Sequence, residues 1–89
     1  MIKADKEPVM RSLKTARGQL EGIMRMVEED RYCVDISHQL LATQALLRKI
    51  NKSILHAHLE HCVAESLETH TDVQAKITEI MSLLDTLSR

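Results

Sequence analysis

CVDISHQLLATQALLRKINKSILHAHLEHCVAESL, residues 33–67, contains neither glycine nor proline. The run therefore lacks the two residues that most reliably break helices. Ile36, Leu40, Ala42 or Thr43, Leu47, Ile50, Ile54, Leu55 and Cys62 recur along it at the spacing of one helical face. The pattern predicts a single long helix starting near Tyr32 or Cys33, with Asp30 as its N-cap and Asp35 at its positive end. At 1.5 Å per residue, roughly 33 residues extend about 50 Å. A compact monomer of this mass has a radius of gyration of about 13 Å. The apolar stripe would stand bare in a lone chain. It predicts partner chains, most simply a second copy packed antiparallel.

The flanks read as two shorter helices. Residues 1–7 are polar, and Pro8 suits a first helical turn, where its missing N–H costs nothing. Leu13, Ala16, Leu20, Ile23, Met24 and Val27 then follow helical spacing until Glu28-Glu29-Asp30 ends the pattern. Gly18 and Gly22 each cost this helix roughly 1 kcal/mol relative to Ala, so they predict close approach of another helix. Downstream, residues 68–72 interrupt the long helix, and Thr71-x-x-Gln74 reads as a capping box. Val73, Ile77, Ile80, Met81, Leu84 and Leu87 mark a third helix.

Composition agrees with an all-α chain. Hydrophobic residues make up 44%, yet there is no Trp, no Phe and a single Tyr. Leu, Ile, Val, Met and Ala of this kind favour helix-on-helix packing. The 89 residues form one domain, 1–89, without repeats or linkers. A core this small gains from oligomerisation. No stretch reads as a membrane span, and the N-terminus lacks the apolar core of a signal peptide, so the expected compartment is the cytoplasm. In a reducing cytosol Cys33 and Cys62 are thiols for metal or redox chemistry rather than a structural disulfide. The chain shows no catalytic triad, paired carboxylates or phosphate loop, which argues against an enzyme with a small-molecule substrate.

His58 and Cys62 are spaced i, i+4, which puts both side chains on one helical face, one turn apart. The bland alternative is that each cysteine is a small buried hydrophobe. Cys33 precedes His58 by 25 positions, about 37 Å along a continuous helix, so the three residues cannot meet within one chain. In an antiparallel dimer, Cys33 of one chain would face His58 and Cys62 of the other, giving two equivalent sites. Two thiolates and one imidazole suit Cu(I), whereas Zn(II) would want a fourth ligand. His56 and His61 could complete a four-coordinate Zn(II) or Ni(II) site; singly, they, His38 and His70 read as solvated side chains.

With 12 basic and 13 acidic residues, bulk charge does not announce nucleic-acid binding. Local clusters carry that case. Arg11, Lys14 and Arg17 recur on one face of the first helix, and Arg48, Lys49 and Lys52 lie midway along the second. Copied by symmetry in an oligomer, they would line a positive face suited to nucleic-acid phosphates. Each cluster alone is also what an ordinary solvated helix face looks like. No helix-turn-helix or zinc-finger signature is present, so shape readout with a few direct contacts is expected.

Three blocks in order, Leu13-Lys-Thr-Ala-Arg-Gly-Gln-Leu-Glu-Gly-Ile23, Arg31-Tyr-Cys-Val-Asp35 and Leu55-His-Ala-His-Leu-Glu-His-Cys-Val63, resemble the CsoR/RcnR family of small helical metal-sensing repressors, its copper sensors most of all. The resemblance covers nearly the whole chain, and Cys-x₂₄-His-x₃-Cys matches the family's Cu(I) pattern. It implies three-helix chains paired into dimers and then flat tetramers, with trigonal copper held between subunits. Tyr32 and, across a one-residue shift in the loop, Glu79 match groups that support the copper ligands. Lys14 and Lys49 match the family's DNA-contact region, while Ser12 stands where some relatives have Arg. The N-terminal segment has no histidine and Cys62 is retained, unlike the nickel and cobalt sensors. His58 separates the chain from the persulfide sensors, and Ile2 from the formaldehyde sensors. Two other classes fit the cysteines: a metal chaperone or store, which would need no basic faces, and a thiol sensor, which would tolerate loss of His58.

Overall fold

The computed structural model describes residues 2, 4–69 and 73–87. Its elements are three helices, α1 (Lys6–Glu28), α2 (Cys33–Thr69) and α3 (Val73–Leu87), with no strand among the described residues. The central helix is longer than the sequence pattern required, by the two residues Glu68 and Thr69. The proposed capping box falls on Thr71, and His70 adjoins it; both lie outside the described residues. None of the helices is long and apolar enough to cross a membrane.

The chain forms two compact units, one of Asp5–Asn51 and one built on Lys52–Arg89. In the first, Val9, Ala16 and Ile23 are the buried residues of α1, seven apart. Thr43 and Ile50, also seven apart, are buried on α2. A seven-residue repeat keeps one narrow seam on a helix, the arrangement of coiled-coil-like packing. Of the alternatives at Ala42 and Thr43, it is Thr43 that turns inward. Its hydroxyl donates to Gln19 Oε1 at 2.8 Å and to its own helix at Gln39 O at 3.1 Å. With one proton to share, it joins α1 to α2 while staying satisfied at 2% exposure.

The turn between α1 and α2 corrects the N-cap assignment. Asp30 has φ 52, the left-handed region. Its N–H donates to Val27 O and that of Arg31 to Met26 O. These are the paired bonds of a Schellman motif, so Asp30 closes α1 and does not open α2. The first turn of α2 is instead anchored on the carbonyl of Tyr32, which accepts from Asp35 and Ile36. The glycines also depart from expectation. Beyond its own helix backbone and chain neighbours, a Cβ at Gly18 would meet nothing described within 4 Å, and one at Gly22 only the tip of Arg25 at 3.9 Å. Among the described residues no other helix crowds them.

The second unit pairs the C-terminal half of α2 with α3. Lys76, Glu79, Ile80 and Leu83, at i, i+3, i+4 and i+7, form the partly covered face of α3. Its stronger apolar row is left out: Val73, Ile77, Met81 and Leu84 are all exposed. Leu13, Leu20, Met24 and Val27 on α1 and Leu40 and Leu47 on α2 are exposed as well. Much of the apolar pattern in the sequence thus faces away from the chain's own core.

Candidate metal centre

The helical repeat brings Cys62 one turn beyond His58, with Sγ 3.4 Å from Nε2. From α3, Glu79 reaches the same imidazole: its Oε1 accepts from Nε2 at 2.6 Å. Cys62 is buried at 5% exposure, and His58 and Glu79 are half-buried. Donor atoms of the three lie within 4.8 Å of one another, the one such group among the described residues. Ligands at about 2.3 Å (sulfur) and 2.0 Å (nitrogen) on one ion stand roughly 3.5 Å apart. The Cys62 thiol and the His58 ring stand at about that spacing, Sγ to Nε2, with Nε2 itself taken up by Glu79.

Charge around the group is mixed. Lys76, one turn before Glu79, has its Nζ 3.7 Å from Glu79 Oε2 and 3.9 Å from Cys62 Sγ. The hydrogen bond from His58 holds the Glu79 carboxyl below its ordinary range, partial burial opposes the shift, and Lys76 adds to it. A carboxylate accepting from Nε2 fixes the imidazole tautomer, as outer groups do around metal-ligating histidines.

Cys33 is not in this group. It is the first residue of α2, in the other compact unit, and it is exposed. Tyr32 precedes it at 66% exposure. His56 and His61 are exposed and pair along the helix with Glu60 at 2.9 Å and Glu65 at 3.8 Å. They stay apart from the group, whose third member is Glu79; His38 is exposed on α2. Periodicity could not place Glu79, which comes from another helix. Lys76 was missed altogether: a lysine on a short amphipathic helix gives no signal of its own.

The six basic residues expected to meet DNA are all exposed. Arg11, Lys14, Arg17, Arg48 and Lys49 are exposed in the first unit, and Lys52 is exposed in the second. Arg11 and Lys14 line a shallow groove with Lys6, Glu7 and Met10.

Known proteins give the context. Residues 5–86 match the family model of metal-sensitive transcriptional repressors. The copper-sensing transcriptional repressor CsoR of Mycobacterium tuberculosis is 43% identical over 81 residues, 90% of this chain and 66% of that protein, so the chain spans about two thirds of its length. The crystal structure of the copper-sensing repressor CsoR with Cu(I) from Geobacillus thermodenitrificans NG80-2 superposes with a TM-score of 0.81 at 36% identity, covering 100% of this chain and 95% of that one. The nickel-responsive transcriptional regulator InrS has a TM-score of 0.82 at 21% identity over 98% of this chain and 97% of its own. That last likeness is one of fold.

Proposed function

This chain belongs to the metal-sensitive transcriptional repressor family, and on that premise we propose that it is a cytoplasmic, Cu(I)-responsive repressor. Its metal-free form binds operator DNA, and Cu(I) held by Cys33, His58 and Cys62 releases it. The observation that carries the reading is the buried Cys62 thiol 3.4 Å from an imidazole that Glu79 orients. Sulfur and nitrogen donors suit a soft ion. With Nε2–H engaged by Glu79, the ring's lone pair for a metal lies on Nδ1.

The third ligand is proposed to come from a second chain. α2 is unbroken from Cys33 to Thr69, and a helix rises about 1.5 Å per residue, so a second copy running antiparallel is the simplest way to bring Cys33 to the pair. The exposed apolar rows on all three helices support a homodimer and, beyond it, a homotetramer. Chain 1–89 then acts as one metal-sensing, DNA-binding domain. Arg11, Lys14, Arg17, Arg48, Lys49 and Lys52 contact DNA phosphates, and Tyr32 and Glu79 support the ligands. Copper and operator each weaken binding of the other, a coupling of about 1–3 kcal/mol.

One observation favours a second reading. The Glu79 carboxylate lies within the same 4.8 Å group, and an N/S/O set would accept the harder Ni(II) or Zn(II). A persulfide sensor on the same scaffold would have no use for His58. Operator binding titrated with Cu(I), Ni(II) and a persulfide donor, for wild type and His58→Ala, tests all of these. The copper reading expects release by Cu(I) alone, lost in the variant. Release by Ni(II), or persulfide release that survives His58→Ala, overturns it.

A further inference from the structure

Lys76 sets a fixed positive charge beside the proposed ion site. Its Nζ is 3.9 Å from Cys62 Sγ and 3.7 Å from Glu79 Oε2. Among the described residues its near neighbours are a thiol, a carboxylate and, through Glu79, the imidazole of His58. The side chain is only about a third exposed, at 35%. Any cation taken up by Cys62 therefore comes to rest close to the Lys76 ammonium.

Coulomb repulsion between that ammonium and a bound ion scales with the charge of the ion. The same thiol protons leave with either ion, so at fixed pH a divalent ion always brings one more unit of positive charge beside Lys76 than a monovalent one and is penalised by that unit. Thiolate and carboxylate donors alone would favour the higher charge. We infer that Lys76 is a specificity-determining residue that discriminates against divalent ions and in favour of a monovalent one. It ligates nothing. It lowers the negative potential of a site that would otherwise hold Zn(II), Co(II) or Ni(II) more firmly. The inference rests on the metal-sensor reading and adds a cause for its selectivity that lies outside the ligand set.

The test compares two probes on the full-length protein. Cu(I) affinity is measured against a competing chelator, and Co(II) affinity by its charge-transfer absorption, for wild type, Lys76→Gln and Lys76→Arg. Screening at a partly exposed lysine leaves a modest effect: at fixed pH, removing the charge should raise the ratio of Co(II) to Cu(I) affinity by about threefold. Lys76→Arg keeps the charge and should behave as wild type. High salt should shrink the Lys76→Gln effect on that ratio. Equal factors for the two ions, which leave that ratio unchanged, overturn the inference while leaving the sensor reading standing. Loss of selectivity in Lys76→Arg as well would assign the effect to packing and overturn it too. A wild type whose Cu(I) binding is indifferent to Cys62→Ala overturns both.

Discussion

His58 and Glu79 come from different helices and meet at 2.6 Å, Nε2 to Oε1. That contact ties α3 to α2 at the imidazole, so whatever alters the ring is felt by the third helix. The helix pair is otherwise modestly packed: Cys62 is its one buried hydrophobic side chain among the described residues.

The pair predicts an acid sensitivity. Hydrogen bonding from His58 and the charge of Lys76 depress the Glu79 carboxyl in the folded chain. A depressed carboxyl stabilises the fold above its unfolded pKa, and that contribution disappears as pH falls through the folded value. Glu79→Gln keeps an acceptor for Nε2–H but removes the titration. Metal-free wild type should therefore lose thermal stability more steeply than Glu79→Gln as the solution is taken from neutrality down through the carboxylate range. Parallel stability curves for the two would refute the linkage.

The turn after α1 predicts a stabilising change. Asp30 holds φ 52, which costs an ordinary L-residue about 1–2 kcal/mol and glycine nothing. Asp30→Gly should raise stability by about 0.5 kcal/mol after the added freedom of the unfolded chain is counted, and Asp30→Val should lower it by about 1–2 kcal/mol. Denaturant midpoints at one fixed protein concentration read both. A clear loss in Asp30→Gly would mean that the aspartate side chain has a task the backbone does not reveal.

Particular residues show what could be read from the sequence. The long helix was legible because no breaker stands between Cys33 and Leu67, and its span left bare apolar rows as its length required. His58 and Cys62 were legible because i, i+4 spacing fixes relative placement within one helix. Asp30 was misread for a physical reason: aspartate favours both N-caps and left-handed turns, and the two roles here lie two residues apart, at Asp30 and Tyr32. On α3 the periodic row of Val73, Ile77 and Met81 identified a helix but not its inward face, because periodicity does not say which surface an apolar stripe covers. Glu79 became visible through resemblance alone, since its place depends on how one helix lies on another.

The exposed lysines predict a salt dependence. If Lys14 and Lys49 meet phosphates, Lys14→Ala and Lys49→Ala should each weaken operator binding across sequences. Each should also flatten the dependence of log affinity on log salt by about 0.9 for every phosphate that is no longer neutralised. Cu(I) affinity should change little. Titrations of fluorescent operator at several salt concentrations measure this, and unchanged slopes in both variants would move the DNA surface elsewhere.

The ligand set predicts complementation between chains. Cys33→Ala protomers retain His58 and Cys62, and His58→Ala/Cys62→Ala protomers retain only Cys33. Each homodimer is then left with at most two ligands per site and should bind Cu(I) weakly. After subunit exchange, an antiparallel heterodimer unites Cys33 of one chain with His58 and Cys62 of the other at one end and leaves the opposite site empty. Tight copper should return at about half an ion per protomer among the heterodimers, and X-ray absorption should find two sulfurs and one nitrogen around it. The prediction depends on α2, unbroken from Cys33 to Thr69, staying so when metal binds. Verified heterodimers without a tight site, beside a wild type that binds one copper per protomer, would exclude the intersubunit centre. The helix would then have to break between Cys33 and His58 when metal arrives, which cross-linking or spin-label distances along α2 would detect.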